Sequence, residues 1–95
     1  MSYSFEQETG LYILDEIETV AADGKTLVVD MVIFIPVTLD GDDLILKDID
    51  DNVFVEMKGA KNKPNIYPFP KPRKLNGLKV TAIDSGKAYV YLAQS

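Results

Sequence analysis

The densest group of metal-capable side chains is Asp48-Ile49-Asp50-Asp51-Asn52, whose D-x-D-x-N spacing matches the opening of a calcium loop. That loop also needs glycine at its sixth position and a bidentate glutamate at its twelfth. Val53 and Gly59 stand there instead, and the only conceivable helpers are Asp40, Asp42 and Asp43. Acidic turn residues that accept hydrogen bonds from their own backbone account for the same cluster. Glycosidase or aspartic-protease chemistry needs two carboxylates held in a cleft with separated pKa values. Fifteen acids make some pair inevitable, and nothing in the sequence marks one as buried. Ser85-Gly86 lacks the G-x-S-x-G spacing of a nucleophile elbow, and the chain has no histidine to activate a hydroxyl. No cysteine is present either, which excludes disulfides and thiolate metal sites. No glycine-rich phosphate loop occurs. The expected chemistry is therefore non-enzymatic, with no cofactor and no metal.

The second constellation is basic and aromatic. Lys61, Lys63, Lys71, Arg73 and Lys74 interleave with Tyr67 and Phe69, and four of the five prolines, Pro64, Pro68, Pro70 and Pro72, fall in the same segment. Cations between rings can hold single-stranded nucleic acid, with bases stacked on the rings. A proline every second residue also gives the polyproline character that aromatic grooves accept. The plainer reading is a solvated loop over 58–74 whose aromatics pin it to the body. A basic, proline-stiffened arm reaching an acidic neighbouring subunit fits the charge distribution best. Residues 1–57 carry fourteen acids and two lysines, a net −12, whereas residues 58–95 carry eight bases and Asp84, a net +7. Either these halves interleave and neutralise one another, or an acidic face on one copy meets a basic face on another. With a net charge of −5, nucleic acid is the least expected partner.

The elements that must position these groups read as β-strands. Residues 78–83 and 88–92 flank Asp84-Ser85-Gly86-Lys87, which suits a hairpin in which Ile83 pairs with Ala88 and Val80 with Tyr91. Residues 44–48 and 52–57 form a second hairpin, with Leu44 opposite Met57, Ile45 beside Glu56, Leu46 opposite Val55 and Lys47 near Phe54. Residues 27–39 are rich in β-branched side chains and apolar on both parities. Such a strand is covered on both faces, either within a sandwich or between subunits, and Pro36 places an edge or bulge near its end. Residues 11–22 have helical spacing at Ile13, Ile17 and Val20, but Asp23-Gly24 favours strand–turn–strand, with Val20 facing Leu27.

Ninety-five residues suit one domain. A flexible polar leader is expected over 1–10, where Tyr3 and Phe5 offer anchors, followed by a single β domain over 11–95. The leader has neither the apolar core nor the positive charge of an export signal, and residues 27–39 are too short to span a bilayer. The expected fold is all-β: a small antiparallel β-sandwich or flattened barrel of six to eight strands built from consecutive hairpins. Its expected core is Val29, Val32, Leu44, Leu46, Val53, Val55, Leu78, Val80, Tyr89 and Tyr91.

Gly41-Asp42, Leu44-Ile45-Leu46-Lys47-Asp48, Asn52-Val53, Glu56, Leu75-Asn76-Gly77-Leu78-Lys79-Val80, Asp84-Ser85-Gly86-Lys87 and Tyr89-Val90-Tyr91-Leu92 together resemble a pattern in small tailed-phage virion proteins. The likeness covers about residues 40–93. Asp51 stands where that pattern carries glycine, and the segment over 61–74 is longer here. Those proteins look like β-sandwich components that assemble as oligomers. The resemblance implies a structural protein of a phage particle (a capsid decoration or a head or tail accessory). It also implies a homo-oligomer, with a trimer preferred, in contact with a capsid or tail protein and located in the virion. Without it, a cytoplasmic location is the default. The alternative from a different class is a monomeric binding module that takes a peptide or carbohydrate through its loops.

Overall fold

The computed structural model describes residues 4–6 and 10–93, with main chain only for 4–6. Seven strands follow in chain order: β1 (Ser4–Glu6), β2 (Leu11–Leu14), β3 (Glu18–Ile35), β4 (Asp42–Lys47), β5 (Val53–Gly59), β6 (Asn65–Ile83) and β7 (Lys87–Leu92). They form one antiparallel sheet in the order β1-β2-β7-β3-β6-β4-β5. The all-β antiparallel fold therefore agrees with the sequence reading. Residues 1–3 and 7–9 of the expected leader, including Tyr3, lie outside the described residues; Ser4–Glu6 pairs with Leu11–Ile13 as an outer strand.

Two strands belong to both halves of the sheet. An 18-residue strand rising ~3.3 Å per residue would be about 60 Å long if straight, yet the longest dimension of the molecule is 35 Å. β3 and the 19-residue β6 therefore bend, and the bends fall at their register steps, Ala21/Thr26 and Val29/Met31 along β3. Asp23-Gly24 sits in the first step, with Gly24 at φ 89°. The glycine conformation expected to reverse the chain there instead lets three extra residues bulge from a continuous strand. Residues 15–17 join β2 to β3, which do not pair with each other and are both antiparallel to β7.

Beyond the bends, the two halves face each other across one core. Leu14, Val32, Phe34, Ala88 and Val90 enter it from one half, and Val20, Leu44, Leu46, Phe54, Val55, Leu78 and Val80 from the other. The register between β4 and β5 is as expected for Leu44–Met57, Ile45–Glu56 and Leu46–Val55. A step then places Lys47 opposite Val53 rather than Phe54. That bulge turns Phe54 and Val55 both inward and leaves Val53 45 % exposed, which removes it from the expected core.

The larger correction concerns the last two strands. β6 and β7 do not pair: Ile83 lies opposite Leu44 of β4, while Ala88 lies between Phe34 of β3 and Leu14 of β2. The chain at 84–86 crosses from one half of the sheet to the other. Parity on β6 is as read, but β7 is reversed, so Ala88 and Val90 are buried while Tyr89 and Tyr91 are half-buried on the outer face. The crossing depends on Gly86, at φ 73°, whose missing side chain lets Ile35 approach. An added Cβ would stand 1.9 Å from the Ile35 carbonyl oxygen.

The proline-rich segment also departs from a loop. Only residues 60–64 are irregular, and Asn65–Tyr67–Pro68 pairs with Phe34, Val32 and Met31 of β3. Pro70 and Pro72 fall in the 69–72 bulge, where β6 makes no pairing with β3, and none of Pro68, Pro70 and Pro72 has an amide hydrogen to offer on the side away from β3. On that side the first half of β6 has no neighbour, because β4 pairs only from Lys79 onward.

Gly86→Ala is expected to destabilise the fold by more than ~2 kcal/mol, from strain at positive φ plus the clash with Ile35. Gly24→Ala, at the same kind of φ but in open space, is expected to lose only about 1 kcal/mol. Urea unfolding of the two variants checks the contrast.

Candidate functional site

Of the seven basic and aromatic residues singled out above, three come together around a fourth that the sequence did not mark. Phe54 of the outer strand β5 stacks on Phe69 of β6 at 5.0 Å between centroids and 13° between planes. Tyr67 tilts against Phe69 at 5.2 Å, and the Arg73 guanidinium lies 5.4 Å from the Phe54 centroid. Offset stacking and cation–π contact add to simple burial here. The stack bridges the gap between β5 and the first half of β6, where no backbone ladder exists. Phe54 is buried, Phe69 is half-buried, and Tyr67 keeps 39 % of its surface exposed. The expected register sets Phe54 beside Lys47, whereas the bulge places Lys47 opposite Val53 and turns Phe54 into the core.

Lys61, Lys63, Lys71 and Lys74 stay on the surface. Lys61 donates its backbone N–H to Asp40 Oδ1 at 2.7 Å, and Lys63 donates its own to the Ala60 carbonyl. The loop that carries them is held by Asn65. Its Nδ2 donates to Phe34 O, Ala60 O and Lys63 O, and its Oδ1 accepts from Ala60 N–H. Among the described residues the ion pairs are Lys58–Asp43 and Lys79–Asp51. The five cations between 61 and 74 therefore make no ion pair with a described carboxylate.

The acidic cluster at 48–52 is a turn wrapped around Asp48. Its Oδ1 accepts N–H bonds from Asp50 and Asn52 at 3.0 and 2.9 Å, and its Oδ2 accepts from Asn52 Nδ2 at 3.1 Å. Asp51 sits in the left-handed region at φ 65°, the position where the phage pattern carries glycine. Hydrogen bonds from Asn52, backbone then side chain, hold the Asp48 carboxyl below its ordinary pKa. Asp51 is likewise lowered, by the hydrogen bond and charge of Lys79, and Lys58 is raised by its bond to Asp43. No group of three or more metal-ligating side chains converges among the described residues.

Asp42 is the one charged side chain buried among the described residues. Its Oδ2 accepts from Ser85 Oγ at 2.5 Å and from Leu39 N–H at 3.2 Å. Ser85 Oγ in turn accepts from Val37 and Thr38 N–H at 3.0 and 3.2 Å. Both lone pairs and the proton of this hydroxyl are therefore occupied, leaving nothing to attack an electrophile. Asp42 and Ser85 tie the 37–43 turn to the 84–86 crossing. A shallow groove of ≈ 580 Å³ opens beside this knot, lined by Asp15, Ile35, Val37, Gly86, Lys87 and Tyr89.

The groove continues onto an apolar outer face. Ile13, Tyr89, Ile33 and Ile66 form one cross-strand row over β2, β7, β3 and β6, and Leu11, Tyr91, Met31 and Pro68 form the next. Comparison with family models, with curated proteins and with solved structures finds no match.

Phe54→Ala is expected to lose roughly 3–5 kcal/mol in chemical denaturation, because it empties the seam between β5 and β6. Because its folded pKa is lowered, Asp48 contributes stability that is complete above its ordinary value of 3.8 and fades as the pH falls through the lowered one. Carboxyl-carbon NMR is expected to place its midpoint below 3.8.

Proposed function

We propose that this chain is a non-enzymatic structural protein that acts by assembling with copies of itself, as a small component of a phage particle. The observation that carries the proposal is the charge left over after folding. Among the described residues two ion pairs join the acidic and basic parts of the chain, and Lys61, Lys63, Lys71, Arg73 and Lys74 stay exposed without one. Asp15, Glu16, Asp30, Asp50 and Glu56 are exposed as well. A molecule with both sets uncompensated attracts its own copies head to tail, and such contacts close into rings when the rotation permits. Three copies is the number the phage resemblance implies, and the virion is the place. The seam of Tyr67, Phe69, Phe54 and Arg73 gives the basic arm a rigid base, so little freedom is lost when it docks.

Sedimentation velocity on the native chain tests this. Larger species are expected at low salt and smaller ones at about 1 M salt, where the screening length is ~3 Å. Lys63→Glu with Lys71→Glu should abolish the low-salt species. Sedimentation independent of salt would overturn charge-driven assembly. For the particle assignment, head and tail genes are expected beside the gene for this chain.

A further inference from the structure

Going beyond the head-to-tail charge contact, and resting on the same reading of a self-assembling protein, we infer that the outer face of β7 and β3 is a second self-association surface, covered by the same face of another copy. β3 runs through the middle of the sheet and is apolar on both sides. Val32 and Phe34 fill the core, while Met31, Ile33 and Ile35 point outward and are half-buried. Strands of this kind are covered on both faces. Here Met31, Ile33, Ile35, Tyr89 and Tyr91 keep part of their surface open, so no described element seals the outer side. Tyr89, Tyr91 and Met31 lie in these rows, and tyrosine and methionine are enriched in the centres of protein interfaces.

The choice of a second copy rests on self-complementarity. Lys87 bounds the face at one end, opposite Ile35, and Asp30 bounds it at the other, beside Met31. Both are exposed, and neither belongs to an ion pair among the described residues. A two-fold axis across the strands, between the Tyr89–Ile33 and Tyr91–Met31 rows, lays each row over the other in the partner. The same rotation brings Lys87 of each copy within reach of Asp30 of the other. An isologous contact of this kind needs a patch that matches itself. This contact is mainly apolar and survives salt, which separates it from the charge-driven one.

The test is sedimentation equilibrium of the full chain in about 1 M salt, with far-UV circular dichroism to confirm folding. The native protein and Ile17→Lys, a control on an exposed turn outside the face, are expected at twice the chain mass of 10.6 kDa. Ile33→Lys is expected at the mass of one chain. Lys87→Glu should shift the equilibrium toward single chains, and adding Asp30→Lys should restore the pair, a readout that holds even if Ile33→Lys fails to fold. A native protein at single-chain mass in high salt up to roughly 1 mM overturns this inference. So does an Ile33→Lys variant that folds and keeps the doubled mass. If larger species still form at low salt, the charge-driven assembly stands without this face. Single-chain mass at every salt removes both.

Discussion

The bending of two long strands governs the rest of this structure. β3 and β6 are each far longer than the molecule is wide, so a straight course would leave their apolar residues in water. Folding them at the register steps turns one sheet into two facing halves and creates a single core. The other devices serve that bend. Gly24 and the residues around it supply the extra length on β3, and residues 69–72 supply it on β6. Gly86 lets the chain cross between halves in van der Waals contact with Ile35. The Phe54–Phe69 stack closes the side where hydrogen bonding stops. Each joins parts of the chain far apart in sequence.

That distance explains what could and could not be read from the amino acids. The hairpin of β4 and β5 was legible because its two arms are neighbours and their alternation agrees from Leu44–Met57 to Leu46–Val55. The crossing after β6 was not. Asp84-Ser85-Gly86-Lys87 has the same local chemistry whether the next strand folds back or passes to the far half. What decides is contact with Ile35, Val37 and Asp42, more than forty residues earlier. Asp23-Gly24 misleads for the same reason, since positive φ serves a bulge as readily as a turn. The inward alternation of β7 was consequently read in reverse, and Tyr89 and Tyr91 moved from the core to the outer face.

The candidate site was legible in composition and hidden in geometry. The interleaving of Tyr67, Phe69 and Arg73 with lysines was visible, but their partner Phe54 was not, because one inserted residue reversed its side of β5. The acidic run at 48–52 carried two readings, and the hydrogen bonds to Asp48 describe a turn closed on itself. Ser85 and Asp42 show a related economy, since a hydroxyl and a buried carboxylate satisfy each other and two loops at once.

The run of prolines along β6 limits what the bare margin of that strand can bind. A bare strand margin offers unpaired amides to any extended chain and is a route to uncontrolled fibre growth. At Pro68, Pro70 and Pro72 there is no amide hydrogen to offer, so this margin cannot template a further strand. Any chain that met this flank would do so through side chains, so surface shape rather than an endlessly repeatable backbone ladder sets what fits there.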